Sequence, residues 1–173
     1  IRPTPAGSLS IGELDGSITD RLRDIAAMFT RAGVEIHLSR EVDSLIWTKL
    51  MVNVGINALA AITFLTNGEL LEFEETRSLQ AAAVNEGIAV AKAKGIPFMV
   101  DDVLEYVRNI ARATYHNIAS MRQDVERGAR TEILAINGAI VAEGEKLGIP
   151  TPVNDTLTKL VQTLEKRREK SPR

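Results

Sequence analysis

Cysteine is absent from the 173 residues, and histidine occurs only at His37 and His116. The first absence excludes disulfides, thiolate nucleophiles and Cys-ligated zinc together; the second leaves too few imidazoles for a His-built centre, so no metal is expected. Neither sign of charge is in excess, with 21 Lys and Arg against 23 Asp and Glu. A protein that binds nucleic acid through a broad basic face is not written in such a chain. No G-x-G-x-x-G, P-loop, H-E-x-x-H or G-x-S-x-G occurs. What is present, 45% apolar and 25% charged residues, is the composition of an ordinary globular domain and not of a disordered or fibrous chain. The N-terminus has no signal-peptide pattern, and it opens on Ile1 and not Met, the expected cut edge of something longer.

The first forty residues read as one α/β unit. Leu9 and Ile11 alternate with Ser8, Ser10 and Gly12 as a short strand ending at Asp15-Gly16. Ser17 and Asp20 have the spacing of a capping box ahead of Ile18, Leu22, Ile25, Ala26 and Phe29 at helical intervals, and Gly33 stands at the helix stop. Val34, Ile36 and Leu38 form a second strand. Two strands make no stable sheet alone, so these should pair with each other, lie unpaired, or be completed by another chain.

From Glu41 onward the pattern is helical. Leu45 to Ile62 is apolar almost all round, but Lys49, Asn53 and Asn57 inside it favour a buried core helix over a membrane span. Further helices are expected over 74–94, 101–115 and 131–146, with a shorter turn opened by a second capping box at Ser120 and a last helix from about Asn154. Two of them stop at Gly95-Ile-Pro97 and Gly148-Ile-Pro150, where glycine takes the left-handed cap and proline forbids continuation. Six basic and two acidic residues between Lys159 and Arg173 read as a solvated helix end favoured by the dipole.

Three residues stand out for chemistry. Lys49, Asn53 and Asn57 follow one another at steps of four, and each step turns only about 40°, so they share a helix face. A lysine in that apolar rod either lines a cleft, ready for proton transfer, or snorkels to water while the asparagines bond neighbouring helices. Ser120 reads first as a helix cap, and the same geometry offers a hydroxyl beside N–H groups that suit a carboxylate ligand. Glu132, placed in a first helical turn, is favoured there by the dipole whatever its role.

Four stretches in order resemble the ketopantoate reductase family over essentially the whole chain, as the second half of that enzyme. They are Ile11-Gly-Glu-Leu-Asp-Gly16; Ile46-Trp-Thr-Lys-Leu-Met-Val-Asn-Val-Gly-Ile-Asn57; Thr66-Asn-Gly-Glu-Leu70; and Asn117-Ile-Ala-Ser-Met-Arg-Gln-Asp124 with Gly128-Ala-Arg-Thr-Glu-Ile133. The resemblance implies a mainly α fold: residues 1–40 would be the strand–helix–strand remnant of an NADP-binding Rossmann domain. Residues 41–173 would be an all-helical substrate domain of the 6-phosphogluconate dehydrogenase C-terminal-like type.

By the same resemblance Lys49 would protonate the ketone oxygen of a 2-keto acid, converting ketopantoate to pantoate. Asn53 and Asn57 would hold substrate oxygens, with Asn67, Asn117 and Ser120 as further substrate-side groups. Glu132 would act where NADPH and substrate meet. The chain departs from the family at Gly128-Ala-Arg, one residue longer than the usual G-R. The glycine-rich NADPH fingerprint of the family is missing, so the fragment alone is expected to be inactive. A cytoplasmic protein without membrane or nucleic-acid partners is implied, with a homodimer left open. The alternatives are a paralogous reductase of another 2-keto acid and a non-catalytic helical dimerisation module.

Overall fold

A computed structural model describes residues 9–169. Ser8 and the basic tail from Lys170 onward lie outside the described residues. The chain divides between Ile46 and Trp47 into two compact units.

In the first unit, β1 (Leu9–Ile11) and β2 (Ile36–Leu38) form a two-stranded parallel sheet, with Leu9, Ser10 and Ile11 opposite Ile36, His37 and Leu38. Parallel neighbours need a crossover, and α1 (Asp20–Arg31) supplies it. The strands therefore pair with each other. The capping box expected at Ser17 is not made. Thr19 is the N-cap, its hydroxyl accepting from Leu22 N at 3.2 Å and donating to Glu13 Oε1 at 2.7 Å. The backbone N–H of Ser17 is instead taken by Asp15 Oδ1 at 2.9 Å, which delays the helix by two residues. Gly33, at φ +79°, turns the chain out of α1 as expected.

The second unit is helical. α2 (Val42–Thr63) enters it and is followed by α3 (Glu74–Ala93), α4 (Val103–Ala113), α5 (Ser120–Arg127), α6 (Asn137–Leu147) and α7 (Pro152–Glu169). One contiguous core joins them, with Met51, Val54 and Leu59 of α2 against Val84 and Val90, Val107, Met121, Ile140 and Val161. α2 is long and apolar enough to cross a membrane, yet 56% of its apolar stretch is buried within the protein, as a core helix requires. Its mid-point carries Gly55 because a Cβ there would lie 2.8 Å from Val107 and 2.9 Å from Val84. Both Gly-Ile-Pro stops behave as expected, with Gly95 at φ +70° and Gly148 at φ +68°.

The helix expected over 131–146 is broken. A 3₁₀ turn spans Ile133–Ala135, Ile136 leaves helical geometry at φ −106°, ψ −94°, and α6 begins only at Asn137. Thr131 explains the break: its N–H and its hydroxyl both donate to Glu165 of α7, each at 2.7 Å, and this pulls the segment off the helix axis. Glu132 therefore precedes a 3₁₀ turn and does not sit in an α-helical first turn.

Candidate functional site

All the candidate residues fall in the helical unit. α2 presents Lys49, Asn53 and Asn57 on one face, and their exposure falls along it: Lys49 is exposed, Asn53 half-buried, and Asn57 only 6% exposed. Among the described residues none of these three side chains makes a hydrogen bond or an ion pair. The stripe thus runs from a solvated ammonium to a nearly enclosed amide. The amide atoms of Asn57 are not sealed from solvent, so they stay open to a ligand without the cost of an orphaned buried group.

A loop cluster lies beyond the C-terminal end of α2. The N–H of Asn67 donates to Asn117 O and that of Gly68 to Tyr115 O, both at 3.0 Å, so the turn after α2 is stitched to the turn after α4. Asn67 Nδ2 donates to Thr114 Oγ1 at 3.0 Å, while Asn67 Oδ1 and Thr66 Oγ1 are buried with no partner. The amide of Asn67 is therefore half committed to structure. Tyr115 closes over Gly68 and its hydroxyl meets Glu72, which pushes the phenol above its ordinary pKa. Glu69 lies below the usual carboxylate range because Thr66 N–H donates to it at 2.7 Å.

Ser120 and Asn117 are exposed at the start of α5. Ser120 is not the cap. Ala119, extended at ψ 144° and buried, holds that position with no side-chain hydrogen bond, so the second capping box is also unmade. Gln123, its expected partner, donates to Ile118 O at 2.9 Å. The Ser120 hydroxyl is consequently not spent on the helix. Arg122, bonded to Glu126 at 2.7 Å, lies over the Phe64 ring 6.0 Å from its centroid and ties α5 to the end of α2. The structure thus gathers Asn67, Asn117 and Ser120 at one set of turns. Glu132 is exposed on a different connection, the one leading into α6.

Sequence reasoning passed over a buried polar network that holds α2. Asn137, fully buried, donates to Asn154 Oδ1 at 2.9 Å and to Val54 O at 3.4 Å. Asn154 Nδ2 donates to Ala83 O at 3.0 Å and to Glu86 Oε2 at 2.7 Å. Gln80, also fully buried, donates to Gly55 O at 3.2 Å. The available signal was an amide at an apolar helical position: Gln80 sits among Thr76, Ala83 and Val84, and Asn137 among Ile133, Ile136 and Ile140.

A dinucleotide needs backbone N–H groups or cations around its pyrophosphate. The surface hollow in the first unit, about 540 Å³, is lined by Glu13, Leu14, Asp15, Ser17, Thr19 and Arg21. Arg21 is spent on Glu13 at 2.6 Å, and Thr19 and Ser17 hold Glu13 and Asp15 as carboxylates below their ordinary range. Two carboxylates do not fit a pyrophosphate. No clusters of metal-ligating side chains occur among the described residues either.

Solved structures similar to this chain include a ketopantoate reductase and D-mandelate dehydrogenase. A PanE/ApbA family ketopantoate reductase from Ralstonia eutropha is 36% identical at a TM-score of 0.85, covering 94% of this chain and 53% of that one. D-mandelate dehydrogenase in its structure with NADH and anilino(oxo)acetate is 28% identical at a TM-score of 0.86, over 96% of this chain and 69% of that one. The family model described as "Ketopantoate reductase PanE/ApbA C terminal" matches residues 41–165, and the chain belongs to that family. Among curated relatives, the 2-dehydropantoate 2-reductase of Halobacterium salinarum is 36% identical over 166 residues, and that of Archaeoglobus fulgidus 37% over 159. The chain covers 96% and 92% of its own length in these matches but only 54% and 53% of the relatives', so it spans about half of each.

Proposed function

We propose that this chain is the substrate-binding and proton-donating half of an NADPH-dependent 2-dehydropantoate 2-reductase, with residues 1–40 the end of its nucleotide-binding domain and 41–173 its helical domain. The observation that carries the reading is the graded stripe on α2, a solvated Lys49 leading to a half-buried Asn53 and a nearly enclosed Asn57, none of whose side chains bonds to another described residue. Lys49 Nζ donates a proton to the ketone oxygen as its carbon is reduced. Asn53 and Asn57 fix the substrate's oxygens along the same face, and Ser120, Asn67 and Asn117 bound its far side. Asn67 contributes through what its bond to Thr114 leaves free. Glu132 acts beside Lys49 on the reacting hydroxyl, where cofactor and substrate meet.

NADPH would supply the hydride from the part of the relatives that this chain does not span. The carboxylate-lined hollow of the first unit is no place for it, so the 173-residue chain alone is expected to show no oxidation of NADPH with ketopantoate. The protein is then cytoplasmic, and the dimeric state described for a ketopantoate reductase of Staphylococcus aureus is the one to look for here.

Lys49→Ala in the full-length protein tests the reading. Loss of a general acid lowers turnover by about 10²- to 10⁴-fold with the fold retained. Turnover within a few-fold of the parent removes Lys49 from the mechanism and returns the chain to a non-catalytic helical module. The likeness to D-mandelate dehydrogenase favours a second reading, a paralogue for a 2-keto acid with an aromatic group. Comparison of kcat/KM for ketopantoate and for an aryl 2-keto acid separates the two.

A further inference from the structure

Two buried amides grip adjacent carbonyls of α2. Gln80 of α3 donates to Gly55 O at 3.2 Å, and Asn137, the first residue of α6, donates to Val54 O at the longer distance of 3.4 Å. Both side chains are fully buried, and each leaves its own oxygen, Gln80 Oε1 or Asn137 Oδ1, without a partner. Carbonyls 54 and 55 already serve the helix's own ladder, so the extra donors are not needed to satisfy them. An apolar residue of similar shape would fill either place without an orphaned oxygen, and packing alone therefore does not account for the amides.

The geometry accounts for them. Consecutive residues stand about 100° apart around a helix axis, so donors on Val54 and Gly55 hold α2 from two directions at one height. That height lies between Asn53 and Asn57. Rotation or sliding of α2 would carry Lys49, Asn53 and Asn57 together past groups on other elements, and two directional bonds oppose this where smooth apolar contact does not. Behind Asn137 the hold continues through Asn154 to Glu86, whose oxygens also receive Val153 N and Asn154 N at 2.9 Å, so α3, α6 and α7 share it.

We infer that Gln80 and Asn137 are positioning residues: they set the rotation and height of α2 so that the Lys49–Asn53–Asn57 face meets its substrate. The inference rests on the reading of that face under Proposed function. Gln80 gives the cleaner test, because Gly55 O is its sole partner among the described residues.

In the full-length protein, Gln80→Met removes the bond and the orphaned oxygen together. A positioning role predicts an unchanged or higher Tm, a kcat lowered about tenfold to a hundredfold by misplacement of the stripe, and faster hydrogen exchange at Ala58 and Leu59. A Gln80→Met protein with parental Tm, kcat and exchange overturns the inference. So does a loss of kcat that only follows a loss of folded protein. Lys49→Ala measured alongside keeps the two claims apart: if it retains turnover, the catalytic reading falls. The clamp then stands on faster exchange at 58–59 with Tm held, or falls on unchanged exchange.

Discussion

Gly68 shows how closely single residues are fitted around the candidate site. A Cβ there would lie 2.0 Å from Tyr115 Cδ2 and 2.3 Å from its Cγ. The ring has little room to retreat, since its hydroxyl meets Glu72 and its edge packs on His116 with centroids 4.9 Å apart. Gly68→Ala should therefore destabilise by about 1–3 kcal/mol, as overpacking does, and release the turn that holds Asn67. Urea unfolding measures the first effect; a parental midpoint would mean that the ring moves freely. At this scale the sequence was most readable where spacing alone decides. Steps of four put Lys49, Asn53 and Asn57 on one face, and they are on one face. It was least readable where a single polar residue hides in an apolar pattern. Gln80 and Asn137 have no periodicity of their own, and only the elements packed against them reveal what they hold.

Helix ends divide in the same way. Gly95 and Gly148 terminate their helices as written, because a positive φ is a local demand that glycine meets by itself. The starts at Ser17, Ser120 and Thr131 were displaced, and in each case something beyond the local pattern took over: an Asp15 turn, the burial of Ala119, and the Glu165 carboxylate. α7 is the extreme case. Its first N–H groups are capped by no neighbour in sequence but by Glu86 of α3, through Val153 N and Asn154 N at 2.9 Å. Glu86→Ala should cost about 0.5–2 kcal/mol, the range for loss of a cap. If Glu86 acts as that cap, the loss measured by chemical denaturation shrinks in an Asn154→Ala background, where one of its three bonds is already gone. Equal losses in both backgrounds would assign Glu86 a role apart from the network.

For the whole molecule, the titrating groups that depart from ordinary behaviour define a plateau of stability against pH. Glu143 is the strongest case. Lys146 at 2.6 Å and Lys94, reaching over from the end of α3, hold its carboxyl down to about 2. Glu69 in the same unit, and Glu13 and Asp15 in the first, are lowered by the hydrogen bonds they accept. Carboxylates held below their unfolded values stabilise fully above about pH 4.5, and their contribution is lost as pH falls toward the folded value. Tyr115 acts in the opposite sense at the other end. Its hydrogen bond to Glu72 raises the phenol, so its contribution is present below about pH 10 and is lost as pH climbs through the raised folded value. The stabilisation from these five groups should therefore be constant from about pH 5 to 10 and decline on both sides. Each limb has its own variant. Glu143→Gln should flatten the acid limb between about pH 4.5 and 2 and leave the alkaline limb in place; Tyr115→Phe should do the reverse. Thermal melts across pH read both limbs, and an acid limb identical in Glu143→Gln would mean that the Lys94–Glu143–Lys146 cluster is screened by solvent and contributes nothing to the fold.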